Sequence, residues 1–202
     1  MRKIVVSEFI SLDGVVQAPG GPEEDTDGGF AHGGWSHPYF DPELMGAKFF
    51  EDLQGTHALL FGRRTWRGMA DAWPGRAGDP FADKMNELPK YVASRTLSGP
   101  LPWVNSTLLE GDAAGAVARL KQEPGPDLLV MGSGVLADSL MKRGLVDEYQ
   151  LLIHPLVLGA GRRLFNDGAP YAALKLVKSV PTTTGVIIAT YQPADGAARK
   201  EA

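Results

Sequence analysis

The sequence contains no cysteine, which excludes disulfide bonds, thiolate metal ligands and a cysteine nucleophile. No stretch approaches the ~20 apolar residues of a membrane-spanning helix, and Glu8 interrupts the apolar start that a secretory signal would need. Lys and Arg number 20 against 24 Asp and Glu, so no net positive field attracts nucleic acid or an anionic membrane. We therefore expect a cytoplasmic protein that binds neither nucleic acid nor membranes.

The sequence also offers little to a metal ion or a hydrolytic centre. Its four histidines do not share a metal-binding spacing, and neither a Gly-x-Ser-x-Gly turn nor a paired-carboxylate pattern is present. With 44% hydrophobic residues among 202, the chain can instead form one ordinary hydrophobic core. The predicted organisation is a single domain over residues 1–192, followed by a small, polar and flexible tail over residues 193–202.

Short apolar strands alternate with amphipathic helices along the chain. Residues 74–87 are polar and carry Gly and Pro, so no element is predicted there, and residues 17–40 are predicted as a long loop of the kind that forms lids and binding sites. The order of elements predicts an α/β fold, with a parallel sheet that ends in an antiparallel pair. The predicted strands cover 3–10, 57–61, 90–94, 103–108, 127–131, 148–159, 175–180 and 185–192, and the helices 41–54, 63–73, 112–122 and 132–144.

Residues suited to anion binding gather where strands meet helices. In DLLVMGSGVLADS, a strand runs directly into Gly132, Ser133 and Gly134 and then into a helix. The free N–H groups at the start of a helix attract an anion, of which a pyrophosphate is the natural example. Many ordinary turns also require glycine, so the alternative interpretation is a turn without a ligand.

Two further junctions carry basic and hydroxyl side chains. LLFGRRTW ends a strand at Gly62 and continues with residues 63–65, whose arginines can meet phosphate oxygens; the alternative is a solvated basic turn. YVASRTL places Ser94 and Arg95 after the next strand, where an arginine suits the 2′-phosphate of NADP; the alternative is a polar loop. Such junctions share one crevice at the carboxyl ends of the strands, so together they favour a phosphorylated dinucleotide.

These segments, with ISLDG at 10–14 and VMGSGVLADSLMKRGLVDEYQLLIHPLVLGAG at 130–161, follow the order of the dihydrofolate-reductase-like superfamily. Over residues 2–192 the chain most resembles the reductase domain of the riboflavin-biosynthesis deaminase–reductases and its stand-alone bacterial relatives. The resemblance implies a dihydrofolate-reductase-like three-layer fold: a central, mostly parallel sheet with a C-terminal antiparallel hairpin and helices on both faces. It also implies NADPH as cofactor, and a homodimer, since relatives often dimerise through their late strands.

The resemblance places the NADPH site on three turns and on the end of the first strand. In relatives, the first two residues of the last turn are paired glycines joined by a cis peptide, so a cis bond is expected between Gly132 and Ser133. The implied cofactor-binding residues are Phe9 beside the nicotinamide; Gly62, Arg63, Arg64 and Thr65 at the phosphates; Ser94 and Arg95 at the 2′-phosphate; and Gly132, Ser133, Gly134, Val135 and Leu136 under the pyrophosphate and the nicotinamide ribose.

The sequence indicates the substrate-binding residues less clearly than the cofactor-binding residues. Asp13 is a candidate proton donor or substrate contact, and its alternative role is a turn aspartate that binds its own backbone; water can deliver the proton equally well. Trp35 and Phe50 are candidates to line a flat pocket for a heterocycle, whereas Phe49 is expected in the core. His154 is expected as a core or edge residue rather than a ligand.

Two departures from the family pattern bear on the reaction. Folate reduction uses an acidic side chain on the first helix; the corresponding place falls near Gly46, and Asp41 or Glu43 fits only if the helix is shifted, so folate is not the expected substrate. The chain also lacks the cysteine ligands of a zinc deaminase, so a full riboflavin role is not expected either.

The expected function is therefore an NADPH-dependent oxidoreductase that transfers a hydride to a small pterin- or pyrimidine-like substrate. The alternative is a non-catalytic NADP(H)-binding sensor or partner module. A true dihydrofolate reductase is a third and less favoured hypothesis, which predicts turnover of dihydrofolate and inhibition by methotrexate.

Overall fold

The computed structural model describes residues 1–54, 57–76 and 78–194. Within these residues, strands and helices alternate up to β6, except that two helices lie between β2 and β3 and none lies between β3 and β4, and a strand hairpin follows. The strands are β1 (Ile4–Ser11), β2 (His57–Gly62), β3 (Lys90–Ala93), β4 (Ser106–Leu109), β5 (Asp127–Met131), β6 (Glu148–His154), β7 (Leu174–Pro181) and β8 (Ile187–Pro193). The helices are α1 (Leu44–Asp52), α2 (Arg63–Ala72), α3 (Pro80–Glu87), α4 (Ala113–Gln122) and α5 (Gly134–Lys142).

The eight strands form one sheet in the order β4-β3-β2-β5-β1-β6-β8-β7. The first six strands pair in parallel, while β8 runs antiparallel to β6 and β7 antiparallel to β8. The carboxyl ends of β3, β2, β5, β1 and β6 therefore lie along the same edge of the sheet. This arrangement confirms the predicted α/β sheet with its antiparallel C-terminal hairpin.

The alternation of β1 shows how the core divides into two layers. Ile4 and Val6 pack in a cluster with residues of α4 and α5, while Val5 packs on the opposite face with residues of α2 and α3. Successive side chains of a strand point to opposite faces, so a strand buried on both sides is apolar at every one of these positions. Helices cover both faces, as predicted.

Several elements differ from the sequence prediction; β6, for example, ends at His154 rather than at residue 159. Residues 80–87 form α3, where no element was predicted; the Asp79 side chain accepts hydrogen bonds from the N–H groups of Phe81 and Ala82, and Pro80 begins the helix. These are ordinary helix-start signals that outweigh the polar composition. Strand β8 extends to Pro193, and the Ala194 N–H donates to the Ala173 carbonyl (2.9 Å), so the predicted tail begins later; residues 195–202 lie outside the described residues.

The long loop over residues 17–40 is confirmed and is closely packed. Short 3₁₀ turns occur at Asp27–Gly29 and His37–Tyr39, and Phe30 and Trp35 are buried. The buried side chain of Gln17 donates to two carbonyls further along the loop, at residues 25 and 27.

Among the described helices, none combines the length and apolar character needed to cross a membrane.

Candidate active site

The two glycine junctions of the sequence analysis are hydrogen-bonded to each other. The strands β2 and β5 are neighbours, and at their ends the Gly62 N–H donates to Ser133 Oγ (3.0 Å). One turn into α2, Thr65 Oγ1 donates to the Gly132 carbonyl (2.7 Å). The starts of α2 and α5 consequently lie side by side, although they are about 70 residues apart in the sequence.

Both helix starts keep N–H groups free for an anion. Neither Gly62 at the start of α2 nor Ser133 at the start of α5 caps its helix with a side chain. Adjacent uncapped starts place two positive dipole ends at one point of the sheet edge. This is the arrangement that a pyrophosphate requires.

The turn before α5 differs from the expectation in one respect. The Gly132–Ser133 peptide is trans, as are the other peptide bonds of the described residues, so the expected cis bond is wrong. The chain turns instead through a positive φ of 61° at Gly132, which glycine adopts without steric cost. At Gly134, an added Cβ would lie 3.0 Å from Val16 Cγ2, so this position needs a small residue to let the loop after β1 approach.

The third junction follows β3. Ser94 is buried, and its Oγ accepts the N–H groups of Thr96 (3.1 Å) and Leu97 (2.9 Å), which fixes the turn. Arg95 is exposed beside it, and Arg63 is half-buried at the start of α2. Within the described part of the chain, neither arginine forms an ion pair, so both guanidinium groups are available to a phosphate.

Arg64 is engaged differently. It forms ion pairs with Asp27 and with Asp25 (Nη1 to Oδ1, 3.5 Å), two carboxylates of the long loop. Arg162 binds the same two residues, at 2.8 Å from Asp25 and 3.6 Å from Asp27. The acidic part of the loop therefore lies over the α2 junction, where the resemblance places the phosphates.

Val135 and Leu136 lie in the first turn of α5 and have different surroundings. Val135 is 64% exposed on the first turn of α5, whereas Leu136 is buried in the core. A ligand on the turn can touch Val135. Leu136 supports the junction from below, since a Cβ on Gly62 would lie 3.9 Å from the Leu136 Cβ.

Asp13 is held by the turn that follows β1. Its carboxylate accepts Ser11 Oγ–H (2.7 Å) and the N–H groups of Leu158 (3.1 Å) and Gly159 (2.9 Å), and Arg163 Nη2 lies 3.3 Å away. The hydrogen bond from Ser11 is the largest of the causes that lower the pKa of Asp13 to about 2. An acid ionised at neutral pH has no proton to donate. The geometry therefore favours the alternative role, a turn aspartate that fixes the backbone.

An aromatic cluster lies at the ends of β1 and β6, on the side where the substrate is expected. The Phe9 ring lies 5.6 Å from Phe49 and 5.2 Å from His154, measured between ring centroids. Trp35 and Tyr39 of the long loop reach the same imidazole, at 5.0 and 6.0 Å. The cluster brings Phe9 and Trp35 together, and their roles beside the nicotinamide and the substrate stay predictions.

The helix residue in this cluster is Phe49 and not Phe50. Phe50 is 42% exposed, whereas Phe49 packs against Phe9 and the core. Successive helix residues are rotated by about 100°, so only one of two adjacent phenylalanines can face the sheet. Phe49 packs against the core, as predicted, whereas Phe50 lies outside this cluster and its role as a pocket residue stays a prediction.

Two of the acids on and before α1, Asp41 and Asp52, are engaged in structural contacts, whereas Glu43 is exposed. Asp41 is buried; its Oδ1 accepts the N–H groups of Glu43 (3.1 Å) and Leu44 (2.9 Å), and its Oδ2 binds Thr183. Asp52 forms an ion pair with Lys48. Neither carboxylate is therefore available as the pterin-binding acid of folate reduction.

Glu8 is a functional candidate that the sequence analysis did not identify. It is buried on β1 beneath the α5 junction, where it accepts the Ser133 N–H, and its Oε1 has no hydrogen-bond partner among the described residues. Burial raises the pKa of Glu8 to about 8, and the charge of Glu24 contributes in the same direction. A charged residue inside a mostly apolar strand is the signal in the sequence that could have found it.

Comparison with known proteins agrees with this architecture. The RibD C-terminal domain family matches residues 2–188. The chain belongs to this family. The protein YyaP of Bacillus subtilis is 28% identical over 198 residues, with 94% of each chain covered.

Two solved structures share the fold. A pyrimidine reductase-like protein of Corynebacterium diphtheriae superposes with a TM-score of 0.66 at 14% identity, over 96% of this chain and 92% of that one. Dihydrofolate reductase of Enterococcus faecalis, in complex with NADP(H), superposes with a TM-score of 0.59 at 17% identity, over 96% and 97%. The fold is therefore dihydrofolate-reductase-like, as the resemblance implied.

Proposed function

We propose that the protein is an NADPH-dependent reductase that acts on a small pyrimidine-like or pterin-like heterocycle. The observation that carries the proposal is the junction of α2 and α5, where two uncapped helix starts are joined by the Gly62–Ser133 hydrogen bond. Membership of the RibD C-terminal domain family supports a reductase rather than another dinucleotide-binding protein. The aromatic cluster at the ends of β1 and β6 supports a flat heterocyclic substrate.

The residues present fit the cofactor. The helix starts would receive the pyrophosphate, Arg63 would meet its oxygens, and Arg95 would bind the 2′-phosphate from the exposed end of β3. When bound, NADPH supplies the hydride, and the protein supplies orientation and exclusion of water. Phe9 and the loop over residues 17–40 exclude water from the site, because their aromatic side chains close the sheet edge on the substrate side.

The alternative is a protein that binds NADP(H) without turnover and acts as a sensor or partner module. The buried position of Trp35 favours this alternative, because the indole fills space beside His154 on the side where a substrate is expected. Incubation with NADPH and a panel of pterins, pyrimidines and quinones distinguishes the reductase from the non-catalytic protein. NADPH oxidation with any of them supports the reductase, whereas tight NADPH binding without oxidation supports the sensor.

The cofactor assignment is tested through Arg95. Replacing Arg95 by Ala should weaken NADPH binding about tenfold or more and leave NADH binding unchanged, because only NADPH carries the 2′-phosphate that a charge-assisted hydrogen bond recognises. Calorimetric titration of both cofactors measures the difference. Arg119→Ala, which removes an exposed arginine from α4, is the matched control. Equal losses for both cofactors, or no loss, would reduce Arg95 to a surface residue.

The predicted homodimer and cytoplasmic location remain predictions.

A further inference from the structure

Glu8 is a buried acid that the proposed function has not used. Its side chain is 3% exposed and lies on the face of β1 that carries Ile4 and Val6, beneath the start of α5. It accepts the Ser133 N–H, while its Oε1 has no hydrogen-bond partner among the described residues. Because Ser133 Oγ also accepts the Gly62 N–H, Glu8 is in hydrogen-bond contact with the junction that is proposed to hold the pyrophosphate.

The surroundings of Glu8 favour a neutral carboxyl group. An ionised carboxylate would carry charge on a buried oxygen without a partner, and a buried acid in such a place takes up a proton instead. The hydrogen bond from Ser133 favours the ionised form, but burial outweighs it and raises the pKa of Glu8 to about 8. Glu8 therefore holds a proton at neutral pH and loses it near pH 8.

Few charged or titratable groups surround Glu8. Residues 128–131 of β5 and 134–137 of α5 are uncharged. Tyr149, on the same face of β6, stays neutral because burial raises its pKa to about 12. The loop over residues 17–40 contributes the carboxylate of Glu24, whose charge raises the pKa of Glu8 further. The basic side chains of the junction come from the first turn of α2: Arg63 and Arg64.

We propose that NADPH binds tightly only when Glu8 carries a proton, so that the protein takes up a proton as the cofactor binds. This inference rests on the proposed function and adds a control by pH to the same site. An ionised Glu8 would place a negative charge at the positive end of the α5 dipole, where the pyrophosphate has to bind. The two anions would repel each other, whereas a neutral carboxyl group leaves this helix start to the cofactor.

Cofactor binding and protonation are then coupled in both directions. A like charge close to an acid raises its pKa by about 1–3 units, so the bound pyrophosphate should keep the proton on Glu8 above pH 8. Below pH 7, Glu8 is protonated with or without the cofactor and contributes no pH dependence. From pH 7 to pH 9, the dissociation constant of NADPH should rise by about five- to tenfold, because the free protein must first regain its proton.

Calorimetry measures this proton directly. At pH 8, half of the free protein carries it, so NADPH binding should take up about half a proton for each cofactor. Titrations in HEPES and in Tris, which differ in ionisation enthalpy, give this number from the difference in binding heat. Circular dichroism accompanies the affinity measurements at pH 7, 8 and 9, since ionised Glu8 also destabilises the fold and only folded protein is compared.

Three variants show whether Glu8 is the group that takes up the proton. Glu8→Gln cannot titrate and should bind NADPH with one affinity from pH 7 to 9, without this proton uptake. Glu24→Gln removes the like charge, so the fall in affinity should begin at lower pH. Glu23→Gln removes an exposed carboxylate of the same loop and should keep the wild-type profile. Lys90 titrates in the same range, but it begins β3 at the opposite edge of the sheet, so any proton that it exchanges would persist in Glu8→Gln.

No proton uptake by the wild type at pH 8, or a constant affinity from pH 7 to 9, would overturn the proposal. A pH dependence that persists in Glu8→Gln would also overturn it, as would a loss of affinity in that variant by one factor at every pH of a parallel profile, which is the sign of a structural role. If Glu8→Gln does not fold, the wild-type proton uptake and the shift in Glu24→Gln decide. Failure of the wild type to bind NADPH at pH 7 would count against the proposed function itself, so the two failures are distinguishable.

Discussion

Glu8 should make the stability of the fold depend on pH in a defined direction. Its carboxyl group is buried in the middle of β1, with Oε1 unpaired among the described residues and Glu24 close enough to repel its charge. Burial raises its pKa from 4.5 to about 8. Between pH 4.5 and about pH 8, the carboxyl group of Glu8 therefore keeps its proton in the folded protein and has lost it in the unfolded chain.

The direction and the size of this pH dependence of stability follow from proton linkage. Below pH 4.5 the group is neutral in both states and contributes no dependence; above pH 8 it is ionised in both. In between, the free energy of unfolding should fall by about 1.4 kcal/mol for each pH unit, to a total of about 5 kcal/mol. That total is a large part of the roughly 5–15 kcal/mol that stabilises a typical domain.

The substitution Glu8→Gln keeps the shape and removes the titration. The stability of this variant relative to wild type should rise by about 1.4 kcal/mol per pH unit between pH 5 and 8 and then level off. Urea unfolding at pH 5.5, 6.5, 7.5 and 8.5, followed by circular dichroism, measures the difference. Glu23→Gln, which removes an exposed carboxylate from the same loop as Glu24, is the matched control and should keep the wild-type profile. A difference that is constant with pH would show that Glu8 is ionised in the folded protein, and the reasoning would be refuted.

Two further changes test the junction and the loop above it. Asp27→Asn should strengthen NADPH binding severalfold, because it releases Arg64 from a carboxylate that competes with phosphate; unchanged affinity in a calorimetric titration at low salt would exclude such competition. Ser133→Ala should lower the free energy of unfolding by about 1–3 kcal/mol and weaken NADPH binding, because the Gly62 N–H loses its acceptor. An unchanged urea midpoint would mean that another group takes the place of Ser133 Oγ.

Local sequence signals were sufficient for much of the fold. The parallel strands show as apolar runs because both faces of the sheet are covered, and the glycines at positions 62 and 132 mark where strands give way to helices. Helix α3 could also have been predicted, since Asp79 followed by Pro80 is a standard helix start. The polar composition around it, averaged over a window, concealed that signal.

The roles of individual side chains could not be predicted in the same way. Asp13 could serve as acid or as turn residue until the N–H groups of Leu158 and Gly159, about 145 residues later, were seen to bind it. The choice between Phe49 and Phe50 depended on the rotation of α1 against the sheet. Arg64 faces carboxylates of a loop whose path has no periodic pattern to predict it.

The sequence alone determined the order of the strands and of every described helix except α3, the absence of cysteine chemistry and the position of each glycine junction, because these depend on neighbouring residues and on composition. Tertiary structure decided which junctions meet, which carboxyl groups are buried without a partner and which aromatic rings surround His154. These properties arise from contacts between segments far apart in the chain, such as Glu8 with Ser133. Burial and pairing, which set pKa values, exist only once those contacts have formed.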